Sequence, residues 1–408
     1  MKKVVIINHS DTKGGASVVS YRLMQALCAR GIDARMVVMD KQTDSLRVSE
    51  AGTPMSRRLA FLRECLQIYT HNGFDRRDLF KVSTGTYGQP LHSHPWVQDA
   101  DAVILGWVNQ GMMSLDEIER IHRMGKRVAW TLHDMWVATG VCHHAGTCTR
   151  YAEACGNCPF LCGGKRTNDL SRRIYGRKRT LYSHVPIDFV AVSRWLAGKC
   201  AVSALTADQR VTVIPNAFPV GDYSVTPTLT RGQLGLPPVP PLVVMGAARL
   251  DDPIKDLPLA VATLNALHDK GVRCAAVFYG AIRDPHALDG LRLPHVALGT
   301  VEQNKVAQIH AHAAVVLSTS LYETLPGTLI EGMAAGATPV ATGLGGQTDI
   351  IEHGVNGYLA RTREPEEIAG YIEQALNAPF DRRAQHDSVA RRFSADAVAE
   401  QYIRLLNL

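Results

Sequence analysis

Short apolar runs alternate with helix-patterned segments along nearly the whole chain, and that alternation narrows the fold more than any other feature. Runs fall at residues 4–7, 36–39, 102–105, 127–132, 188–192 and 211–214, and again at 242–246, 273–279, 313–317 and 338–341. They are mostly continuous in apolar residues rather than apolar at every second position, which predicts parallel strands buried on both faces by helices. The first unit shows the pattern in full. The run at 4–7 leads into "HSDTKGGAS", then Val18, Val19, Arg22, Leu23, Ala26 and Leu27 recur at helical spacing, and Gly31 stops the helix before the next run. A later helix is expected to open at Ser114 with a capping box closed by Glu117.

The alternation breaks once. Pro219, Pro227, Pro237, Pro238, Pro240 and Pro241 mark a linker over residues 219–240. A chain of 408 residues exceeds what one hydrophobic core usually serves. The expected organisation is therefore α/β, with two Rossmann-like doubly wound domains at 1–218 and 241–385. A C-terminal helix within 386–408 is expected to return to the first domain. Ligands should bind in an interdomain cleft, where loops leave the carboxyl ends of the strands.

Bulk properties exclude several classes. No apolar run approaches the length of a membrane span. The start, "MKKVVIINHSD", reads as a first strand and not a signal peptide, and the nine cysteines are an odd number. A reducing cytoplasmic setting is expected. Charge is uneven: residues 1–220 carry 29 Lys+Arg against 18 Asp+Glu, and the rest 15 against 20. Much of the excess lies in "KRTNDLSRRIYGRKR", which opens at Lys165 and closes at Arg179 with seven basic residues and one acid. It is either a solvated helix face or a contact for anionic lipid at a membrane surface. Nucleic acid is not expected, because the stretch interleaves a single aromatic, Tyr175.

Three loops carry candidate chemistry. In "HSDTKGGAS", Gly14 and Gly15 would let backbone amides approach an anion at a helix N-terminus, the alternative being a plain turn. The loop is not GxGxxG, so a nicotinamide cofactor has little support. In "GAARLDDPIKDLP", Arg249 and Lys255 place two cations before a helix, enough to neutralise a diphosphate. In "STSLYETLPGTLIEGMAAG", Glu323 falls on the loop after a strand and Glu331 about one turn into the helix that begins near Pro326. Two carboxylates for hydroxyl groups, with the backbone N–H groups near Leu325, Gly327 and Thr328 between them and Pro326 leaving the helix start open, suit a sugar, a ribose and a diphosphate.

The segment from Glu323 to Glu331 resembles the Glu-x7-Glu motif of retaining glycosyltransferases of family 4, which have the GT-B fold. "VIPNAFP", "TRGQLGLP", "ARLDDPIKD" and "GGQTDIIEHGVNGYL" resemble further segments of that family, with Ala217 where Gly is usual and Asp349 for the usual Glu. The resemblance implies transfer from a nucleotide-sugar donor, UDP being favoured, to a glycan or lipid-linked acceptor, without a catalytic metal. It implies that Glu323 binds donor-sugar hydroxyls, Glu331 the ribose, and Arg249 and Lys255 the diphosphate. Val301 would contact the base through its backbone. His133, in "WTLHDMW", would lie beside the sugar and phosphate, and Gly14 and Gly15 would line the phosphate and acceptor side. The two glutamates are not expected to act as a glycosidase acid and nucleophile.

"WTLHDMWVATGVCHHAGTCTRYAEACGNCPFL" resembles a branch found in capsule, exopolysaccharide and colanic-acid-type clusters. Its Cys142, Cys148, Cys155 and Cys158, in an insertion at about 140–165, are separated by five, six and two residues. They are candidates for a structural zinc site, with Cys162, His143 and His144 as spare ligands; disulfides and reduced thiols are the alternatives. Two rivals to a transferase stand: an inactive GT-B protein that binds a glycan or partner, and a GT-B epimerase or phosphorylase.

Overall fold

A computed structural model describes residues 1–161 and 168–408. The chain divides into two compact units, Met1–Ala217 together with Val398–Leu408, and Phe218–Ala397.

The first unit is built on a seven-stranded sheet. Its strands are β1 (Lys3–Ser10), β2 (Asp33–Asp40), β3 (Val48–Glu50), β4 (Ala102–Leu105), β5 (Arg127–Leu132), β6 (Asp188–Ala191) and β7 (Val211–Val213). Their order is β3-β2-β1-β4-β5-β6-β7, and every pairing is parallel. β1 is central: Val4 to Ile7 are almost wholly buried and pair with β2 on one side and β4 on the other. Helices α1 (Gly15–Ala29), α2 (Pro54–His71), α3 (Pro95–Asp99), α4 (Leu115–Arg123), α5 (Leu170–His184) and α6 (Arg194–Val202) connect the strands. α1 ends where Gly31 takes a φ of 81°, a conformation glycine adopts without strain. Half of the expected capping box at α4 forms. Ser114 accepts from the Glu117 amide at 3.2 Å, but the buried Glu117 carboxylate turns away to accept from the His92 amide at 2.6 Å. A distant donor outcompetes the local one because it satisfies a carboxylate that burial strips of water.

The second unit has a six-stranded sheet: β8 (Leu242–Arg249), β9 (Ala275–Ala281), β10 (His295–Ala297), β11 (Ala313–Ser318), β12 (Thr338–Thr342) and β13 (Tyr358–Ala360). Their order is β10-β9-β8-β11-β12-β13, again all parallel. α7 (Leu257–Asp269), α8 (Gln303–His312), α9 (Gly327–Ala334), α10 (Gln347–Ile350), α11 (Pro365–Asn377) and α12 (Arg382–Phe393) cover it, and α13 (Ala395–Leu406) follows. One face buries Leu257, Ala260, Leu264 and Leu267 of α7 with Ile368, Ile372 and Ala375 of α11 against Val243, Val315 and Val340. Proline-rich residues 219–240 are tied down by Arg231, whose guanidinium donates to the carbonyls of Pro237, Pro238 and Pro240.

Each apolar run expected from the sequence coincides with a strand to within three residues at its ends. β3, β10 and β13, three residues each, carry no such run. Among the described residues no helix is long and apolar enough to cross a membrane.

Candidate active site

In each sheet the strand order reverses beside the central strand, between β1 and β4 and between β8 and β11. Such a switch point is the usual ligand position in open α/β sheets. In the second unit the loops leaving the two flanking strands are those that carry Arg249 to Lys255 and Glu323.

The two loops are stitched together. Leu321 donates its amide to the Ile254 carbonyl at 2.8 Å, and the Thr319 hydroxyl donates to the carbonyls of Lys255 and Asp256 at 2.9 and 3.1 Å. Asp256, at φ 52°, ends the first loop in the left-handed region, and its carboxylate pairs with Arg363. The result brings the Lys255 ammonium onto the Glu323 carboxylate, which also accepts from the Ser320 hydroxyl at 3.1 Å. Arg249 closes β8, and its guanidinium pairs with Asp252 at 3.0 Å. Its Nε lies 3.5 Å from an Asp251 carboxylate oxygen, an ion-pair distance without hydrogen-bond geometry.

Glu323 is held from behind as well. Its carbonyl accepts from the Gly346 amide at 2.7 Å. A Cβ on Gly346 would stand 2.1 Å from the Thr324 carbonyl oxygen, so only glycine allows this approach. Leu325 and Pro326 are buried, and Pro326 caps α9 without a side-chain hydrogen bond to its first amides. Gly332 seats α9 on β11, since a Cβ there would meet Val316 at 2.5 Å. Glu331, half-buried on α9, has the Gln303 amide nitrogen 3.5 Å away, and that same nitrogen donates to the Tyr223 hydroxyl at 2.7 Å. Val301 lies two residues before Gln303. Gln303, Tyr223 and Gly346 escaped sequence reasoning. Gln303 and Gly346 lie inside segments that point to the site; Tyr223 carries no such signal.

In the first unit, Gly14 takes a φ of 92° and α1 starts at Gly15 with no side-chain cap. Asp11, fully buried, accepts from the amides of Gln42 and Thr43 at 2.9 Å and fastens the loop after β1 to that after β2. His133 follows β5 directly. Its Nε2 is buried with no hydrogen-bond partner, and burial holds the imidazole down to about 4, so it is neutral near pH 7. A second histidine is bound differently. His143 Nδ1 lies 2.7 Å from the Asp134 carboxylate and its Nε2 3.0 Å from the Ser83 hydroxyl. Asp134 also accepts from the Trp107 indole at 2.9 Å. Burial alone would raise the Asp134 carboxyl, but the charge and hydrogen bond of His143 outweigh it and hold it at about 2. The Ser83–His143–Asp134 string has the connectivity of a hydrolase triad. Ser83, however, is 1% exposed, so no substrate reaches its hydroxyl and the string serves to fix Trp107 and His143.

Two further stretches of the first unit carry expectations from the sequence. Cys142, Cys148, Cys155 and Cys158 do line one cavity, and the Gly140 amide donates to Cys155 Sγ at 3.1 Å. Yet among the described residues no three or more His, Cys, Asp or Glu side chains are arranged to hold a metal ion. These four cysteines are free thiols, and burial pushes Cys142 and Cys158 up to about 12. His143 spends both ring nitrogens elsewhere, and Cys162 lies outside the described residues. Among the described residues the basic run divides between paired, buried and exposed side chains. Lys165 and Arg166 lie outside the described residues, Arg177 pairs with Asp116 at 2.7 Å, and Lys178 is fully buried. Lys178 donates to the carbonyls of Trp136 and Thr139 and sits 3.4 Å from the Trp136 ring centre. Arg172, Arg173 and Arg179 remain exposed.

Two Rossmann-like units, the second with paired cations and carboxylates at its switch point, define a two-domain, doubly wound α/β protein. The comparisons with known proteins agree. Residues 241–378, about a third of the chain and all in the second unit, match the family model described as glycosyl transferases group 1. An uncharacterized glycosyltransferase of Methanocaldococcus jannaschii is 34% identical over 124 residues, which span 29% of this chain and 32% of that relative. Solved structures align over the full length. HepE of Anabaena in complex with UDP and glucose superposes with a TM-score of 0.61 at 17% identity, covering 100% of both chains. A glycosyltransferase of Rickettsia africae superposes with a TM-score of 0.68 at 13% identity, covering 100% of this chain and 98% of that one. At such identities the likeness shows the fold, which is GT-B.

Proposed function

We propose that this protein is a retaining glycosyltransferase of the family 4 type. It moves a sugar from a nucleotide-diphosphate sugar to a glycan or lipid-linked acceptor in surface-polysaccharide biosynthesis. The observation that carries the reading is the switch point of the second unit. There Arg249, Lys255 and the uncapped start of α9 offer positive charge, with Glu323 and Glu331 on either side. The match to glycosyl transferases group 1 supports it, and the UDP held by HepE favours UDP as the donor base.

In this reading Glu323 accepts hydrogen bonds from donor-sugar hydroxyls and Glu331 from the ribose. Arg249, Lys255 and the α9 amides hold the diphosphate. Val301 contacts the base, while His133, Gly14 and Gly15 serve the sugar and phosphate from the first unit. The bond from the anomeric carbon to the phosphate oxygen breaks as the acceptor oxygen bonds to the same face. The acceptor proton passes to the departing phosphate oxygen. Arg249, Lys255 and the α9 amides stabilise the charge that grows on that leaving group, an electrostatic contribution worth several kcal/mol, about 3 for a single well-placed donor. His133, neutral near pH 7, contributes a hydrogen bond and not a charge.

A thermal-shift screen with UDP, GDP, ADP and their common sugars tests the reading. A saturating donor should raise the melting temperature by mass action. A shift with UDP and UDP-sugars that disappears in Glu331→Ala supports it. No shift with any nucleotide removes it.

A further inference from the structure

Helix α2 is inverted relative to an ordinary surface helix. At 3.6 residues per turn, Met55, Leu59, Leu62 and Leu66 share one stripe, the pattern that usually faces a core. Here the stripe faces solvent, with its four side chains between 43% and 67% exposed. The buried residues of α2 are Ala60, Glu64 and Ile68, on the opposite side. Glu64 docks the helix: its carboxylate accepts from the Thr84 amide at 2.6 Å and lies 3.3 Å from the Thr84 hydroxyl. A buried carboxylate thus holds the helix down, and the apolar stripe is left outward.

The segment after α2 extends the same surface. Phe74 and Phe80 are 67% and 61% exposed. Phe74 has a φ of 64°, a strained conformation for a bulky residue, and is held edge-on to Tyr69 with ring centres 5.3 Å apart. Six of the thirteen large apolar side chains exposed among the described residues fall between positions 55 and 80. Isolated exposed apolar residues are ordinary, whereas a concentration of this kind marks an interaction surface.

The charge around the stripe identifies the partner. Arg58 and Arg63 flank it on both sides and are exposed, and among the described residues no carboxylate pairs with either. Glu64 is the single acid of α2 and points inward. In the following loop Asp75 and Asp78 are engaged by Arg77 and Lys81, and Arg76 lies over the Tyr69 ring. An apolar stripe with cationic edges and no outward anion is the pattern of a helix lying in an anionic lipid interface. A second copy of this chain suits it poorly, because a two-fold contact on this stripe would bring the arginines of both copies to one interface with no outward acid of α2 to meet them.

We propose that α2, with Phe74 and Phe80, is a docking element for an anionic membrane surface, its apolar stripe inserted among the head groups and its arginines on phosphates. The inference rests on this helix and does not depend on the transferase reading. Co-sedimentation with phosphatidylcholine vesicles, with and without phosphatidylglycerol, tests it on the full chain. Binding should require phosphatidylglycerol, weaken in high salt, and fall about tenfold or more in a combined Leu59→Ser, Leu62→Ser, Leu66→Ser variant. Arg58→Gln with Arg63→Gln should reduce binding while leaving the melting temperature unchanged. The UDP-induced thermal shift, read in the same variants, should be unaltered, which separates this outcome from any failure of the donor site. Absence of binding to phosphatidylglycerol vesicles, or equal binding by the triple-serine variant, overturns the proposal. A wild-type dimer in light scattering that becomes monomeric on the triple substitution, without vesicle binding, assigns the face to self-association instead and overturns it too.

Discussion

The ammonium of Lys255 rests against the carboxylate of Glu323, joining the two loops that flank the switch point of the second sheet. The side chains keep 28% and 20% of their surface exposed, so the pair is partly screened and adds little to stability, under about 1 kcal/mol. Its consequence is positional. Lys255→Ala should therefore leave the melting temperature nearly unchanged and lower the transfer rate by about a hundredfold, the usual loss when one preorganised charge-stabilising group is removed. Steady-state kinetics with the preferred donor, beside a melting curve, decide it; a rate within about twofold of the wild type would withdraw Lys255 from the site.

Gly346 offers a test of the loop from behind. Gly346→Ala forces a methyl group against the Thr324 carbonyl, 2.1 Å away, at an ordinary φ of −70°. The strain is therefore steric, and the loop carrying Glu323 must move. Overpacking of this kind costs about 1–3 kcal/mol. Donor affinity should weaken in isothermal titration, and far more than in Gly176→Ala, where a Cβ meets nothing within 4 Å. Equal affinities in the two variants would show that the position of Glu323 is not critical.

Acid should destabilise the protein through its buried histidines. His133 and His310 are each held by burial to about 4, below the ordinary 6.5. Between those values the unfolded chain binds protons that the folded chain does not, so stability rises with pH. The contribution is fully present above about 6.5 and is lost as pH falls toward 4. Melting temperatures should drop across that window. His310→Gln, which keeps a partner for the Tyr279 hydroxyl now 2.8 Å from His310 Nε2, should flatten the drop. An unchanged slope in that variant would assign the acid sensitivity to other groups.

Transfer should withstand removal of divalent metal. In the proposed site Arg249 and Lys255 would supply the positive charge that a metal supplies in other diphosphate sites. Treatment with EDTA should leave the rate unchanged. A large loss restored by magnesium or manganese would mean that these two side chains are not sufficient for the leaving group.

The interior of the cysteine insertion illustrates what spacing alone leaves open. Four cysteines within a short segment left zinc, disulfides and reduced thiols open, and they gather around one cavity as free thiols. Lys178 lay in a run read as either a solvated helix face or a lipid contact, and it is buried against Trp136. In both cases the outcome depends on partners far along the chain, which local composition does not specify.

The sequence by itself determined ten of the thirteen strands among the described residues and the two-unit plan. An apolar run buried on both faces is a local property, and so is the placement of Glu323 on a loop and Glu331 in the first turns of a helix. Tertiary structure decided which groups meet: Lys255 with Glu323, Gln303 near Glu331, Glu117 with His92 in place of its own helix start. It also decided the direction in which α2 points. Helical periodicity tells which residues share a face; burial of Glu64 against Thr84, two segments apart, turned the apolar face of α2 outward.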